Sequence, residues 1–227
     1  MNTKINPLFV FFLLFLFLIM STNGNAQEQN KGKIAILYFE NNAVQSCFSP
    51  LSKGLCDMMI SDFTSEKQFA VVERARLQEI INELKMEQNK IFDSSTTAKL
   101  GKLLGADYLV LGAFFEFMGT FRIDARIVKV ETGEIFASVG TSGKVDTFEL
   151  LEKKIVLDLH VKMKKSANKA KSAEKCTVSL RGATQYGTAI DKIDSGDVQG
   201  ARALLKDIVE SSPDFALAKD ILRKISQ

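Results

Sequence analysis

Glu73 and Arg74 are the first residues whose types and spacing suggest chemistry. An adjacent acid and base at a strand-to-helix junction can hold a subunit interface or a charged ligand. The competing reading is local, an ion pair at a helix start where Glu73 also complements the dipole. His160 is the single imidazole of the chain and sits between Leu159 and Val161 on an apolar helix. No nucleophile stands at a fixed spacing from it, so it reads as structural rather than as a general base. Cys47, Cys56 and Cys176 are an odd number of thiols. Cys47 and Cys56 can pair across a loop-to-helix junction and leave Cys176 over, or all three can stay reduced. There is no CxxC, hence neither a zinc site nor a redox motif. Gly101, Gly105 and Gly112 match neither GxGxxG nor a GK[ST] ending, and read as helix packing, a helix C-cap and a close strand contact. The acidic residues are scattered over helix faces, without a metal cluster or an acid pair. The residues therefore imply no catalytic group, cofactor or metal, and the chemistry left is that of contacts.

The start of the chain says where those contacts are expected. Lys4, an unbroken apolar run from Leu8 to Met20 and then Gly24-Asn25-Ala26 form the pattern of a secretory signal, with cleavage expected between Ala26 and Gln27. The run is short for a bilayer span, and no second span follows it. A lipoprotein would need cysteine where Gln27 stands, so the expectation is an exported periplasmic protein with no lipid anchor and no integral span. The chain has 30 Lys and Arg against 27 Asp and Glu, a formal net charge of +3. Lys4 leaves with the leader, and so near-neutral a balance implies no nucleic-acid partner.

The elements that position these residues follow from periodicity. Lys33 to Phe39 is a nearly continuous apolar run, expected as a central strand covered on both faces. Ser49-Pro50 opens a helix with Leu51, Leu55, Met59 and Phe63 on one face. Phe69 to Val72 predicts a short strand, followed by a helix with Leu77, Ile80, Ile81 and Leu84 along one side. The cap-rich stretch from Asp93 starts a third helix that Gly105 ends. Three strands come next, Tyr108 to Phe117, Phe121 to Val130 and Ile135 to Thr141, joined by connections short enough for hairpins. Alternation slips at Val128, the sign of a bulge. Asp146 with Glu149 forms a capping-box pattern before a helix that buries Phe148, Leu151, Ile155 and Leu159. The expected fold is α/β (α+β), a mixed sheet of about five strands packed by helices.

Lys162 to Lys175 changes texture to Lys, Ala and Ser, read as a solvated helix end and linker, with an acidic or membrane-surface partner as the other reading. Ala189, Ala201, Leu205 and Ile208, with breaks at Gly196-Asp197 and Pro213, suit a helical hairpin. Phe215, Ala218 and Leu222 begin a third helix. This segment resembles one tetratricopeptide repeat with a capping helix, although the aromatic positions are only partly filled. A single repeat cannot bury its own face, so it packs on the first domain or is completed by another chain. The expected division is 1–26 signal, 27–161 α/β domain, 162–178 basic linker and 179–227 helical segment.

Read in order, KIAILYFENN, PLSKGLCDMMISDF, FAVVERARLQEIINE, TTAKLGKLLGADYLVLGAFFEF and RIVKVETGEIFASV resemble the CsgG family of curli production assembly and transport components. The likeness covers about residues 33 to 160. Its most specific pieces are the turn at Val71-Val72-Glu73-Arg74, the run from Gly101 to Gly112 and the hairpin from Val130 to Ile135. The resemblance implies a CsgG-like α/β core in an envelope protein that works through other envelope proteins, forms a ring in the curli channel itself, and has no catalytic residues to transfer. Two departures limit it. The channel's membrane hairpins would fall between the strands here ending at Phe117 and starting at Phe121, and after Thr141. A membrane strand needs roughly 9–11 residues, and neither connection has that length. The channel's lipid-anchor cysteine is also missing. The functional expectation is a non-enzymatic module of envelope assembly or curli-type secretion, a homo-oligomer whose contact uses the first helix and the open sheet edge. The other reading is a regulatory module that binds its partner, peptidoglycan- or envelope-machine-associated, through the C-terminal helices.

Overall fold

A computed structural model describes residues 32–43, 46–65, 69–86, 94–163 and 178–227. Six strands form one mixed sheet: β1 (Lys33–Ile36), β2 (Glu40–Asn41), β3 (Ala70–Val71), β4 (Tyr108–Phe117), β5 (Thr120–Lys129) and β6 (Ile135–Lys144). The order is β3-β1-β4-β5-β6, with β2 pairing β4 beyond the end of β1. The pairings among β1, β2, β3 and β4 are parallel, and β4, β5 and β6 run as an antiparallel meander. This division follows from the connections. Long segments carrying helices separate the parallel strands, while two short turns join the antiparallel ones.

The apolar run at Lys33 is a central strand, but it is shorter than its hydrophobicity suggests. Leu37, Tyr38 and Phe39 are buried outside the assigned strands. Leu37 still donates its N–H to Val110, whereas Phe39 donates to the Ser52 carbonyl across the first helix. The chain then rejoins β4 as β2, which makes the sheet six-stranded rather than five. The slip at Val128 is a register shift: Ile127 pairs Ala137 and Val128 pairs Ile135, so the extra residue, Phe136, lies on β6.

The helices are α1 (Leu51–Ser65), α2 (Arg74–Glu83), α3 (Ser94–Leu104), α4 (Phe148–Met163), α5 (Leu180–Asp194), α6 (Val198–Ser211) and α7 (Ala216–Lys224). α4 packs on the sheet face that presents Phe121, whose ring meets Phe148 edge-on at 5.3 Å. α3 lies on the opposite face, where Gly101 sits against Leu109 and Val130. α1 runs beside α4, with Phe63 against the His160 ring at 4.2 Å. Leu51, Leu55, Met59 and Phe63 are fully buried, and so are Ser52, Gly54 and Cys56 on its other sides. A helix covered all round belongs inside a protein. The layer that completes its burial is α5.

α5 follows Ser179, which accepts the Gly182 N–H at 3.1 Å, and α6 follows Asp197, which accepts the Gly200 N–H at 2.8 Å. These are ordinary N-caps, worth about 1 kcal/mol each. The capping box expected at Asp146 is put to another use. A 3₁₀ turn occupies Val145–Thr147, and the buried Glu149 carboxylate accepts the Val178 N–H at 2.6 Å and pairs with Lys153 at 2.5 Å. Glu149 thereby fixes the point at which the chain enters the C-terminal helices.

Candidate functional site

Arg74 is the first residue of α2, an unfavourable place for a cation beside the positive end of a helix dipole. It is held there by two acids from other elements. Its Nη1 donates to both Asp194 carboxylate oxygens, at 3.0 and 2.9 Å, and its Nε lies 3.7 Å from Asp57 of α1. Only 11% of the side chain is exposed. Burial alone would favour losing the proton, but the Asp194 hydrogen bonds and the charges of Asp194 and Asp57 outweigh it and leave Arg74 more firmly protonated than a free arginine.

Glu73, beside it, is exposed and occupies the N-cap position of α2 with no side-chain capping bond. The expected pair is therefore divided. Arg74 is an interface residue within the chain, tied to a residue 120 positions away rather than to Glu73; Glu73 faces water.

The cluster extends beyond Arg74. Lys53 of α1 reaches Asp191 at 2.7 Å and Asp194 at 2.9 Å. Tyr186 donates its hydroxyl to Asp57 at 2.5 Å while its ring packs on Phe215 at 5.0 Å. Tyr38 donates to Gln78 at 2.7 Å, under the Lys53 ammonium. Burial, then nearby negative charge, pushes both tyrosine hydroxyls above their ordinary range, so both are neutral donors at physiological pH. Four elements, the β1–β2 connection, α1, α2 and α5, meet in this one network.

Steric fit allows that meeting. At Gly187 of α5 a Cβ would stand 1.9 Å from the Pro50 carbonyl oxygen, and at Gly54 of α1 one would stand 2.8 Å from the Ala183 carbonyl oxygen. Glycine at both places lets the two helix backbones touch. The face of α1 expected at an oligomer contact is thus covered by the chain's own C-terminal helices.

Cys56 and Cys47 are not joined. Cys56 is fully buried and its thiol donates to the Ile36 carbonyl at 3.3 Å, whereas Cys47 is exposed. Burial and then Asp57 raise the Cys56 pKa, which makes the thiol unreactive. Ala26, Gln27 and Cys176 lie outside the described residues, as does most of the basic linker. Of the three glycines, Gly101 packs on Val130, Gly105 ends α3 and Gly112 lies against Phe39.

Two further features remain, one not anticipated and the other the open sheet edge expected from the sequence. Glu152 on α4 is 1% exposed and its carboxyl group lies beside that of Asp62 on α1. Burial, then the charge of Asp62, raises its pKa well above the usual range and favours the neutral acid. The other feature is the edge of the sheet. β6 is ten residues long, IFASVGTSGK, with Lys144 at its end as the only charge and no proline. Nothing in the sheet pairs its outer side. The face of the meander behind it is partly open, with a hollow of about 300 Å³ lined by Glu40, Leu111, Ala113, Asp124, Arg126 and Ser138. Among the described residues no three His, Cys, Asp or Glu side chains gather as metal ligands, and no helix is long and apolar enough to cross a membrane.

No curated protein sequence matches this one. Among solved structures, the C-terminal domain of LpoB from Salmonella enterica is similar at 13% identity, covering 57% of this chain and 92% of that one, with a TM-score of 0.44. Lipoprotein GNA1162 from Neisseria meningitidis is similar at 16% identity, with 57% and 98% covered and a TM-score of 0.45. The PelC dodecamer from Paraburkholderia phytofirmans gives 9% identity, 59% and 90% covered and a TM-score of 0.40. The family model of the curli production assembly/transport component CsgG matches residues 18–119 and stops at the β4–β5 turn, short of the residue 160 reached by the likeness read from the sequence. Over that segment, from before β1 to the β4–β5 turn, the chain is similar to the CsgG family.

Proposed function

We propose that this chain is a non-enzymatic periplasmic protein of CsgG type that works through protein–protein contacts in cell-envelope assembly or curli-type secretion, and that it self-associates through β6. The family match over residues 18–119 supports the envelope setting. The observation that carries the self-association is the unguarded edge. Sheet edges in monomeric proteins are shortened, charged or broken with proline. β3, at the other edge, has two residues, but β6 has ten, and eight of its nine residues before Lys144 are half-buried or exposed. Pairing that strand with another copy would satisfy its free backbone groups and prolong the antiparallel meander.

The regulatory reading, with residues 179–227 as the partner-binding part, is less well supported. α5 is committed to α1 by the Gly54–Gly187 contact and the Arg74–Asp194 network. Val198 is the single large apolar side chain exposed among residues 178–227. A peptide groove needs more uncovered apolar surface than that. The experiment that tests the edge is a pull-down between two differently tagged copies of residues 27–227. Capture that is lost with Ser138→Lys and Ser142→Lys supports the edge; no capture, or capture that these lysines leave unchanged, contradicts it.

A further inference from the structure

Met118 is the most exposed large apolar side chain of the described residues, at 86%, and it occupies a backbone conformation that apolar residues avoid. Its φ is +50° and that of Gly119 is +77°, so the two-residue turn between β4 and β5 is left-handed at both positions. Such turns favour Asn or Asp before the glycine, because short polar side chains tolerate this region. Met118 thus bears a backbone cost and an apolar-exposure cost where asparagine would relieve both. Phe117 is 60% exposed, and Phe115, on the same side of β4, is 39% exposed. The tip is firmly held: Glu116 accepts the Gly119 N–H at 2.8 Å, and Gly119 accepts the Val145 N–H at 3.1 Å. Beside it lies an open hollow of about 630 Å³, lined by Met118, Lys144, Val145, Asp146, Leu180 and Arg181. Neither Lys144 nor Arg181 has a carboxylate within salt-bridge distance among the described residues.

From this juxtaposition we infer that the β4–β5 tip is a membrane-surface contact, with Phe117 and Met118 entering the headgroup boundary of an anionic bilayer and Lys144 and Arg181 meeting its phosphates. Apolar side chains flanked by unpaired cations are the pattern by which proteins lie on anionic lipid. A convex, rigid two-residue turn suits a surface that yields around it. The inference is independent of self-association at β6, since the tip is complete in one copy.

The test is flotation of residues 27–227, which contain the whole described unit, with vesicles of equal parts phosphatidylcholine and phosphatidylglycerol and with phosphatidylcholine alone. The expected result is binding that prefers the anionic vesicles and weakens with salt. Met118→Asn and Phe117→Ser should each lower the partition constant about tenfold, the effect of removing one large apolar side chain from the boundary. Met118→Asn should do so while melting no lower than the wild type, which separates lost binding from lost folding. Lys144→Gln with Arg181→Gln should abolish the lipid preference. A wild-type protein that stays with the lipid-free fraction, as it would if the tip docked into a protein pit, overturns the inference. So does vesicle binding that Met118→Asn leaves unchanged.

Discussion

Replacing Gly187 with alanine tests whether the C-terminal helices are a fixed layer of this protein. The added Cβ would stand 1.9 Å from the Pro50 carbonyl oxygen and 2.6 Å from its carbon. A carbon and a carbonyl oxygen need a little over 3 Å, so α5 must withdraw from α1 by about 1.3 Å. The obstacle is backbone at a proline and cannot rotate away. Withdrawal would stretch the 2.9 Å contact between Arg74 and Asp194 past hydrogen-bond range, together with the Lys53 and Tyr186 bonds. Overpacking of this kind costs about 1–3 kcal/mol, and a lost charged hydrogen bond adds about 1.5–3 kcal/mol. The expected loss is therefore about 3–5 kcal/mol in urea unfolding of residues 27–227. Amide exchange should accelerate first in α5, α6 and α7, while β4 and β5 stay protected. A Gly187→Ala protein within about 0.5 kcal/mol of the wild type, with unchanged exchange in α5, would refute the close docking.

Arg74→Met and Asp194→Asn should each destabilise the protein by about 2–4 kcal/mol, since each removes the hydrogen-bonded partner of a buried charge and leaves Asp194 only Lys53, or Arg74 only Asp57, and the double variant should cost less than the sum, as read from a double-mutant cycle in urea. Glu152→Gln should stabilise the protein in a pH-dependent way. The folded-state pKa of Glu152 is raised, so its proton favours the folded state below the ordinary pKa of about 4.3, and that contribution is lost as pH rises toward the folded value. The melting temperature of Glu152→Gln should accordingly gain on the wild type from pH 4 toward pH 8, reaching a difference of about 1–3 kcal/mol; a gap that is flat with pH would contradict the assignment. Cys56→Ala should cost about 1–2 kcal/mol by leaving a small cavity, and labelling of the folded protein with a thiol reagent should spare Cys56, whereas rapid modification there would show that the thiol is accessible.

The strands and helices were legible in the sequence because each carries its own period. Phe121, Ile123, Ala125 and Ile127 against Arg122, Asp124 and Arg126 marked one buried face of β5, and even the bulge showed as a slip at Val128. Only the side of the bulge was hidden, because alternation on one strand cannot say which partner carries the extra residue. β2 was missed because two residues have no period. The Cys47–Cys56 pairing was suggested by spacing alone, and spacing does not reveal that Cys56 points at Ile36.

The network around Arg74 was half legible. The residue was marked, but its partners Asp57 and Asp194, and Lys53 which shares Asp194, come from segments that no local pattern connects. One signal was available. α1 is apolar or small on nearly every side, with Ser52, Gly54 and Cys56 between Leu51, Leu55 and Met59, which is the composition of a helix covered twice. Read that way, α1 could not have served as an oligomer surface, and the small residues would have pointed to a second helix lying directly against it. The burial of Glu152 has no signal in the sequence, since an acid in the stretch Glu149 to Lys154 suits an exposed helix face as well.

The central claim is that β6 joins copies of this protein, and light scattering on a sizing column tests it most directly. Residues 27–227 should elute as an assembly of two or more copies, with the same mass in the presence of detergent, and Ser138→Lys with Ser142→Lys should reduce that mass to one copy of unchanged melting temperature. A wild-type monomer at all accessible concentrations, or an assembly that the two lysines leave intact, would contradict the claim.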